Sequence, residues 1–200
     1  MTPYSLLPLI CASFVGAGST TSLKAKIEPQ GKSWTFGLGG NSLTVTPPGA
    51  QRAVQELELH PSDTPPEHPI LETPDLNFDG FKDLRVLAAK HGPGQTIWQY
   101  WLFDPKTRRF VPSPELDAAL NPRPDTEGKK DTLSAYWNGG SAGRIYWRKT
   151  YRWEGSKLVL VEDVEQTAIA DRPDDFKKVV RRREKGALLT VEETVVHDPH

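Results

Sequence analysis

The chain has 200 residues, a length that suits one domain, or one domain with a small annex. Its 25 basic and 26 acidic residues nearly cancel, so the overall charge gives no electrostatic case for a nucleic-acid partner or for an anionic membrane surface. Eighteen prolines, sixteen glycines and six tryptophans indicate many short strands joined by turns rather than long helices.

The first residues form an uncharged apolar segment. No charged side chain precedes Lys24, and an apolar centre from Leu6 to Val15 is followed by small residues that end at Ala17. This pattern predicts a signal peptide over residues 1–17, although the lysine or arginine that usually precedes the apolar segment of a signal peptide is missing. A buried N-terminal strand or helix is the alternative. No later segment approaches the length of a transmembrane helix, so we expect an exported protein, in the periplasm or secreted.

Cysteine usage limits the chemistry of the mature chain. Cys11 is the only cysteine, and it lies within the predicted signal peptide. Removal of that peptide leaves neither a disulfide framework nor a thiol nucleophile. The fold must therefore be held by burial, sheet hydrogen bonds and any bound metal.

Alternation of apolar and polar residues predicts half-buried antiparallel strands through most of the remaining chain. In chain order these segments are SWTFGL, SLTVTP, RAVQELEL, PILET, DLRVLAA, the hairpin TIWQYWLFDPKTRRFVP, TLSAYW, RIYWRKTYRW, KLVLVEDVEQTAI, FKKVVRRREK and ALLTVEETVV. SPELDAAL predicts one short helix with Ser113 as its N-cap. The fold class is therefore mainly β: a single domain over residues 18–200, built as an antiparallel meander or a partial β-propeller.

The segment PDLNFDGFKDLRVLAA places oxygen-bearing side chains at alternate positions around Gly80. Calcium takes six to eight oxygen ligands, and a glycine permits the sharp bend that such a loop needs. The pattern predicts a strand–loop–strand calcium site over residues 75–83. The candidate ligands are the side chains of Asp75, Asn77, Asp79 and Asp83 and the carbonyl oxygen of Phe81. A hydrated turn is the alternative, because the twelfth position, which carries glutamate in a helical EF-hand, is Val86.

A second, weaker copy of this pattern occurs in RPDTEGKKDTLSAYW. Asp125, Glu127, Gly128 and Asp131 line up with Asn77, Asp79, Gly80 and Asp83. Arg123 stands where the first aspartate belongs, and its guanidinium can neutralise the acids itself. Whether a second metal binds near residues 123–131 stays open at this point.

The run from Asp75 to Leu84 resembles the calcium loop of FG-GAP, or integrin-type, β-propeller repeats. With YWLFDPKTRRFV and YWRKTYRWEGSKLVLVED, it is similar to a group of exported bacterial proteins that carry one such loop. That group includes a periplasmic immunity protein that binds calcium and inhibits a lysozyme-like effector delivered by a type IV secretion system. The resemblance spans residues 70 to 165 and implies calcium ligation by the loop; it does not assign inhibitory contacts.

The segment GGSAG, from Gly139 to Gly143, matches the G-x-S-x-G pattern of serine hydrolases. A strand-like segment follows it where a nucleophile elbow requires a helix, so we interpret it as a hairpin loop. Rigid aromatic rings beside a loop suit a protein-binding surface. The candidate contact residues are Tyr136, Trp137, Asn138, Gly139, Gly140 and Ser141.

Other patterns suggest chemistry only weakly. Glu115, Asp117 and the cluster Glu162, Asp163 and Glu165 could serve a polysaccharide-acting enzyme, but acids on exposed strands are commoner. None of the five histidines has the spacing of a zinc hydrolase. In RIYWRKTYRW, alternate residues predict a tryptophan face that packs in the core and an arginine face in water. We therefore do not expect an enzyme.

The leading hypothesis is an exported calcium-binding protein of the immunity type, which inhibits a secreted peptidoglycan hydrolase by inserting a rigid loop into its cleft. Calcium would organise the scaffold rather than perform chemistry. The alternatives are a calcium-dependent module that binds a surface polymer or mediates adhesion, and, third, a polysaccharide-acting enzyme. All three hypotheses share an extracytoplasmic location.

Overall fold

The structure is a computed structural model that describes residues 21–60, 70–91, 95–126 and 129–198. The predicted signal peptide, residues 1–17, lies outside the described residues. Within them the chain forms fourteen strands, one five-residue helix and one 3-10 turn. Every described strand pairing is antiparallel, which confirms the predicted mainly β, meander-like fold.

The described chain divides into two compact units. The first contains the described residues up to Asp75, together with Asp79–Lys90 and Thr96–Ser113, and the second contains Leu76–Phe78 and the described residues from Pro114 onward. The boundaries expected from sequence, a signal peptide over 1–17 and one domain over 18–200, stay predictions.

The first unit is a pair of four-stranded antiparallel sheets. One sheet contains, in order, β1 (Thr21–Lys26), β2 (Ser33–Gly39), β3 (Ser42–Thr46) and β4 (Gln55–Glu58). The other contains β5 (Leu71–Glu72), β6 (Leu84–His91), β7 (Gln95–Asp104) and β8 (Arg109–Pro112). Strand β1 was not predicted. Its alternation of buried Leu23 and Ala25 with exposed Lys24 and Lys26 is short but regular.

Aromatic rings from both sheets meet in the core of the first unit. Trp34 of β2 is fully buried and contacts Phe103 of β7 edge-to-face, with ring centroids 5.5 Å apart and an interplanar angle of 83°. Phe110 of β8 packs against both rings at 5.9 and 5.2 Å. These rings bury large areas and add edge-to-face contacts, so they join the two sheets of this unit.

The second unit is a six-stranded meander preceded by the helix α1 (Pro114–Ala118). Its strands follow one another across the sheet in chain order: β9 (Arg123–Pro124), β10 (Leu133–Gly140), β11 (Ile145–Glu154), β12 (Lys157–Ile169), β13 (Arg172–Glu184) and β14 (Ala187–His197). The short helix confirms the prediction for SPELDAAL. In the described residues no helix is long and apolar enough to cross a membrane.

Tight turns explain why these strands form hairpins. Glu154 pairs with Lys157 and Glu184 pairs with Ala187, so each connection contains only two residues. In the second of these turns Lys185 and Gly186 both have positive φ, 49° and 88°. Such turns match the twist of the flanking strands and favour glycine. A glycine between two strand-like segments is therefore a sequence signal for this kind of hairpin.

Replacing Phe103 with alanine should reduce the free energy of unfolding by about 3–5 kcal/mol, because the cavity would lie among three aromatic rings, Trp34, Phe81 and Phe110, that cannot close around it. Val111→Ala, at a half-exposed position of the neighbouring strand, should cost less than about 1 kcal/mol. Urea unfolding followed by tryptophan fluorescence measures both changes. Equal losses would contradict the assignment of this core.

Candidate functional site

The hairpin of β10 and β11 brings all six predicted contact residues together. Tyr136 lies opposite Arg148, Trp137 opposite Trp147, and Asn138 opposite Tyr146. The register then shifts between Asn138 and Gly140, and Ser141–Gly143 forms the 3-10 turn. Tyr136 is 46% exposed and Trp137 is 36% exposed, so two large rings face solvent beside the turn.

The ring of Trp137 is held by its neighbours. It stacks on Trp147 with centroids 6.4 Å apart and planes only 12° from parallel, and the ammonium of Lys149 lies 5.0 Å from the Trp147 ring centre. A Cβ at Gly139 would lie 2.3 Å from Cζ3 of Trp137 and 2.6 Å from Cγ2 of Ile145. A side chain at position 139 would therefore displace the indole, and glycine is needed there.

The loop itself is fixed by its own hydrogen bonds. Oδ1 of Asn138 accepts the N–H of Gly140 at 2.9 Å, and Nε of Arg144 donates to the carbonyl of Ser141 at 2.9 Å. Ser141 and Ala142 both have positive φ, 49° and 55°, an arrangement that costs each residue on the order of 1 kcal/mol. Strand β11 follows directly, so GGSAG is a hairpin loop, as predicted, and not a strand–turn–helix elbow.

The faces of β11 differ in part from the prediction. The expected tryptophan face is half-buried: Trp147 and Trp153 both keep partial exposure. On the opposite face, Arg148 and Arg152 are exposed as predicted, but Thr150 is buried. Trp153 nevertheless has a defined partner, because its Nε1 donates to the carbonyl of Leu76 at 2.8 Å.

The acidic loop is folded by its own carboxylates. Oδ2 of Asp75 accepts the N–H of Gly80 at 3.1 Å, and Oδ1 of Asp79 accepts the N–H of Phe81 at 2.9 Å. Gly80 has φ of +89°, the conformation that a glycine tolerates and other residues avoid. The predicted bend at Gly80 is therefore present.

Asp83 anchors the end of the acidic loop, a role that the sequence pattern did not indicate. Its side chain is fully buried, and its Oδ1 accepts the N–H of Phe103 at 2.8 Å. Its own N–H donates to the carbonyl of Pro74 at 2.7 Å. This carboxyl group fixes the end of the loop to β7. One of its oxygens is therefore used as a hydrogen-bond acceptor within the first unit.

The remaining predicted ligands divide between the units. Asp79 and Phe81 belong to the first unit, whereas Asn77 lies in the segment Leu76–Phe78 of the second. Across the described ranges, no three acidic, histidine or cysteine side chains lie close enough to form a metal site. The available donors are carboxylate, amide and carbonyl oxygens, which is the ligand chemistry that calcium takes.

A cavity of about 800 Å³ lies on one face of the six-stranded sheet, and sequence inspection missed it. Alternate residues of four successive strands share this face, as the strand register requires. They are Ser134 and Tyr136 of β10, Tyr146, Arg148 and Thr150 of β11, Glu162 and Val164 of β12, and Lys178, Val180 and Arg182 of β13. The sequence signal for this cavity is the alternation of side chains along each strand, but it indicates a shared face only when the alignment of the four strands is known.

Glu162 is the acid at the centre of a charge network in this cavity. Oε2 of Glu162 accepts from Nε of Arg182 at 2.9 Å and pairs with Nζ of Lys129 at 3.0 Å. Burial acts to raise the pKa of Glu162, but Arg182 and Lys129 outweigh it and hold that pKa below its ordinary value of 4.5. The carboxylate thus remains ionised at neutral pH and is fully committed to two cations.

The other acids of the predicted cluster face away from the cavity. Asp163 and Glu165 both contact Nη1 of Arg181, at 2.9 and 3.2 Å. The three acids of β12 are therefore divided between two faces of the sheet, and each is ion-paired.

Glu115 accepts a long hydrogen bond of 3.4 Å from the N–H of Leu158.

Glu162→Gln should lower the free energy of unfolding at neutral pH by on the order of 1 kcal/mol, because both charge-assisted contacts weaken. Since the folded-state pKa is lowered, the stabilisation by the wild-type carboxylate is present above pH 4.5 and disappears as the pH falls further. The difference between wild type and variant, measured by urea unfolding from pH 7 downward, should therefore shrink below pH 4.5. A difference that is constant with pH would contradict this assignment.

Comparison with known proteins shows that this chain shares its fold with one solved structure. No protein-family model and no curated protein matches this chain. Among solved structures, the chain is similar to one described as a Xanthomonas type IV secretion system related protein, with a TM-score of 0.59 and 19% identity. The match covers 90% of this chain and 98% of that one, so the two chains share a fold over nearly their whole lengths.

Proposed function

We propose that this protein is exported to the periplasm and inhibits a secreted peptidoglycan hydrolase of the lysozyme type, which makes it an immunity protein. The observation that carries the proposal is the preorganised aromatic hairpin of β10 and β11. Its exposed Tyr136 and Trp137 lie beside a loop that local hydrogen bonds and two left-handed residues already fix. Little conformational entropy would be lost when such a loop enters a cleft.

The composition of the hairpin supports protein recognition. Tyrosine, tryptophan and arginine dominate binding hot spots, since they bury much area with few rotatable bonds. Tyr136, Trp137, Tyr146, Trp147 and Arg148 all occur within the paired part of this one hairpin. The shared fold with a secretion-system related protein is compatible with this role, because immunity proteins act against secreted effectors.

In this proposal inhibition needs no chemical step. The hairpin occupies the groove in which the glycan strand would lie, and substrate is excluded sterically. The exposed rings of Tyr136 and Trp137 supply contact to the walls of the cleft. Gly139 keeps the Trp137 ring in place.

The acidic loop is proposed to bind calcium as a structural ion. Asp75, Asp79 and the carbonyl oxygen of Phe81, all in the first unit, would hold it, and Asp83 at the end of the loop belongs to the same ligand set predicted from sequence. The bound ion supplies positive charge that offsets the repulsion among the carboxylates. The bend at Gly80 and the all-oxygen donor set support this assignment.

The inhibition test uses a purified peptidoglycan hydrolase of the lysozyme type and a peptidoglycan turbidity assay. The wild-type protein should stop clearing at a stoichiometric amount. Trp137→Ala and Gly139→Ala should each weaken inhibition by about 30-fold or more, because a hot-spot ring is removed or displaced. Ile97→Ala, at a similarly exposed apolar position of the first unit, is the matched control and should inhibit normally.

Two results would count against the proposal. A wild-type protein that leaves the hydrolase fully active would refute the inhibitor function. Normal inhibition by both hairpin variants would keep that function but remove the hairpin from its mechanism.

The calcium test compares two substitutions by thermal unfolding with added calcium or chelator. Calcium at 100 times its Kd should stabilise the wild type by about 2.7 kcal/mol. Asp79→Asn should abolish this shift while leaving the metal-free protein nearly as stable as before. Asp83→Asn should lower the stability of the metal-free protein by about 1–3 kcal/mol, because it weakens the buried acceptor of the Phe103 N–H.

Isothermal titration of metal-stripped wild-type protein is the decisive readout for the metal. Absence of heat on calcium addition, together with a melting temperature that is indifferent to chelator, would exclude the calcium site. The inhibition assay in the presence of chelator then reports separately whether the hairpin needs the ion.

A further inference from the structure

The cavity on the six-stranded sheet has a charge composition that steric inhibition by the hairpin loop does not require. Five basic and three acidic residues line it, although basic and acidic residues are balanced over the whole chain. Two of the basic residues, Lys129 and Arg182, are occupied by Glu162. The remaining lining residues are three cations, Arg123, Arg148 and Lys178, and two acids, Asp125 and Glu192, so the cavity keeps a net positive charge.

Arg148 and Lys178 are two of the cations on the strands that line the cavity. In the described part of the chain, neither side chain makes an ion pair. Arg148 lies on β11 and Lys178 on β13, with β12 between them and an offset of two residues along the strands, so their backbones are about 12 Å apart. Two cations at this separation, with no acid committed to them, suit a ligand that carries more than one anionic group.

Two tyrosine side chains, Tyr136 and Tyr146, lie beside these cations and form the tyrosine wall of the cavity. The rings of Tyr136 and Tyr146 stack with centroids 5.9 Å apart and an interplanar angle of 28°. Tyr136 leaves nearly half its surface exposed, and the floor between the cations is formed by Val164 and Val180. The site therefore joins a flat apolar surface to hydroxyl groups and positive charges, a mixture typical of sites that bind a polar ligand in a fixed orientation.

We propose that this cavity binds a short acidic oligosaccharide, a chain of sugar rings that carry carboxylate groups. The C–H face of a pyranose ring packs on a tyrosine ring, its hydroxyls bond to Ser134 and Thr150, and its carboxylates pair with Arg148 and Lys178. An acidic peptide would use the cations but has no rings to place on the tyrosine wall. The cavity shares Tyr136, Tyr146 and Arg148 with the hairpin of β10 and β11, but it does not use Trp137 or Gly139–Ser141, on which the proposed inhibition depends.

The test is isothermal titration of the full chain with tetragalacturonate, a tetramer of uronic acid. Arg148→Ala and Lys178→Ala should each weaken binding about tenfold, and the double variant should show no measurable heat. Tyr146→Leu should weaken binding while keeping its salt dependence. Lys177→Ala removes the same charge from the opposite face of β13 and is the matched control.

Two further ligands decide the chemical class. Chitotetraose, a neutral tetramer, should bind much more weakly than tetragalacturonate, and equal binding would refute the role of charge. Tetraglutamate should also bind weakly; equal or tighter binding, sensitive to the same two substitutions, would show an acidic-peptide site and overturn the proposal. No heat with tetragalacturonate, from protein with a wild-type circular dichroism spectrum, would overturn it as well.

Discussion

The functional surfaces of the second unit depend on the register in which β10, β11, β12 and β13 are paired. Because side chains alternate between the two faces of a strand, one register puts Tyr136, Arg148 and Val164 on the cavity face and leaves Trp137 and Trp147 on the other. A slip of one residue in any strand would exchange its two sets of side chains. Two-residue turns at the ends of β11 and β12 help to fix this register, and the Trp137–Trp147 stack adds a cross-strand contact between β10 and β11.

The buried carboxylate of Asp83 plays the corresponding role in the first unit. A buried carboxyl group is tolerated there because a backbone N–H donates to it, and this bond joins the acidic loop to β7. The loop is thus anchored by one of its own acids. The position explains how a single aspartate of the loop can be needed for folding.

Sequence patterns were sufficient for most of the strands, since alternation and turn residues are local signals. Strand β1 was missed because only Leu23 and Ala25 mark it, and RAVQELEL shortens to β4, Gln55–Glu58. The contact residues of the hairpin were found because they are consecutive in the chain. The cavity was missed because it exists only when four strands are aligned, and bulges such as that between Thr150 and Tyr151 change which residues share a face. Likewise, the inward turn of Asp83 is set by a partner twenty residues away, which loop spacing does not reveal.

Every sheet in the described chain is built only from strands that follow one another in sequence. No strand has to wait for a partner from a distant part of the polypeptide, so the contact order of each sheet is low and the entropy of closing its loops is small. Such a chain can add one hairpin after another while it is still being released from a ribosome or a membrane pore. Assembly in this order leaves few unpaired edges exposed at any moment, and it limits the time during which the long, half-exposed strands of the meander can aggregate.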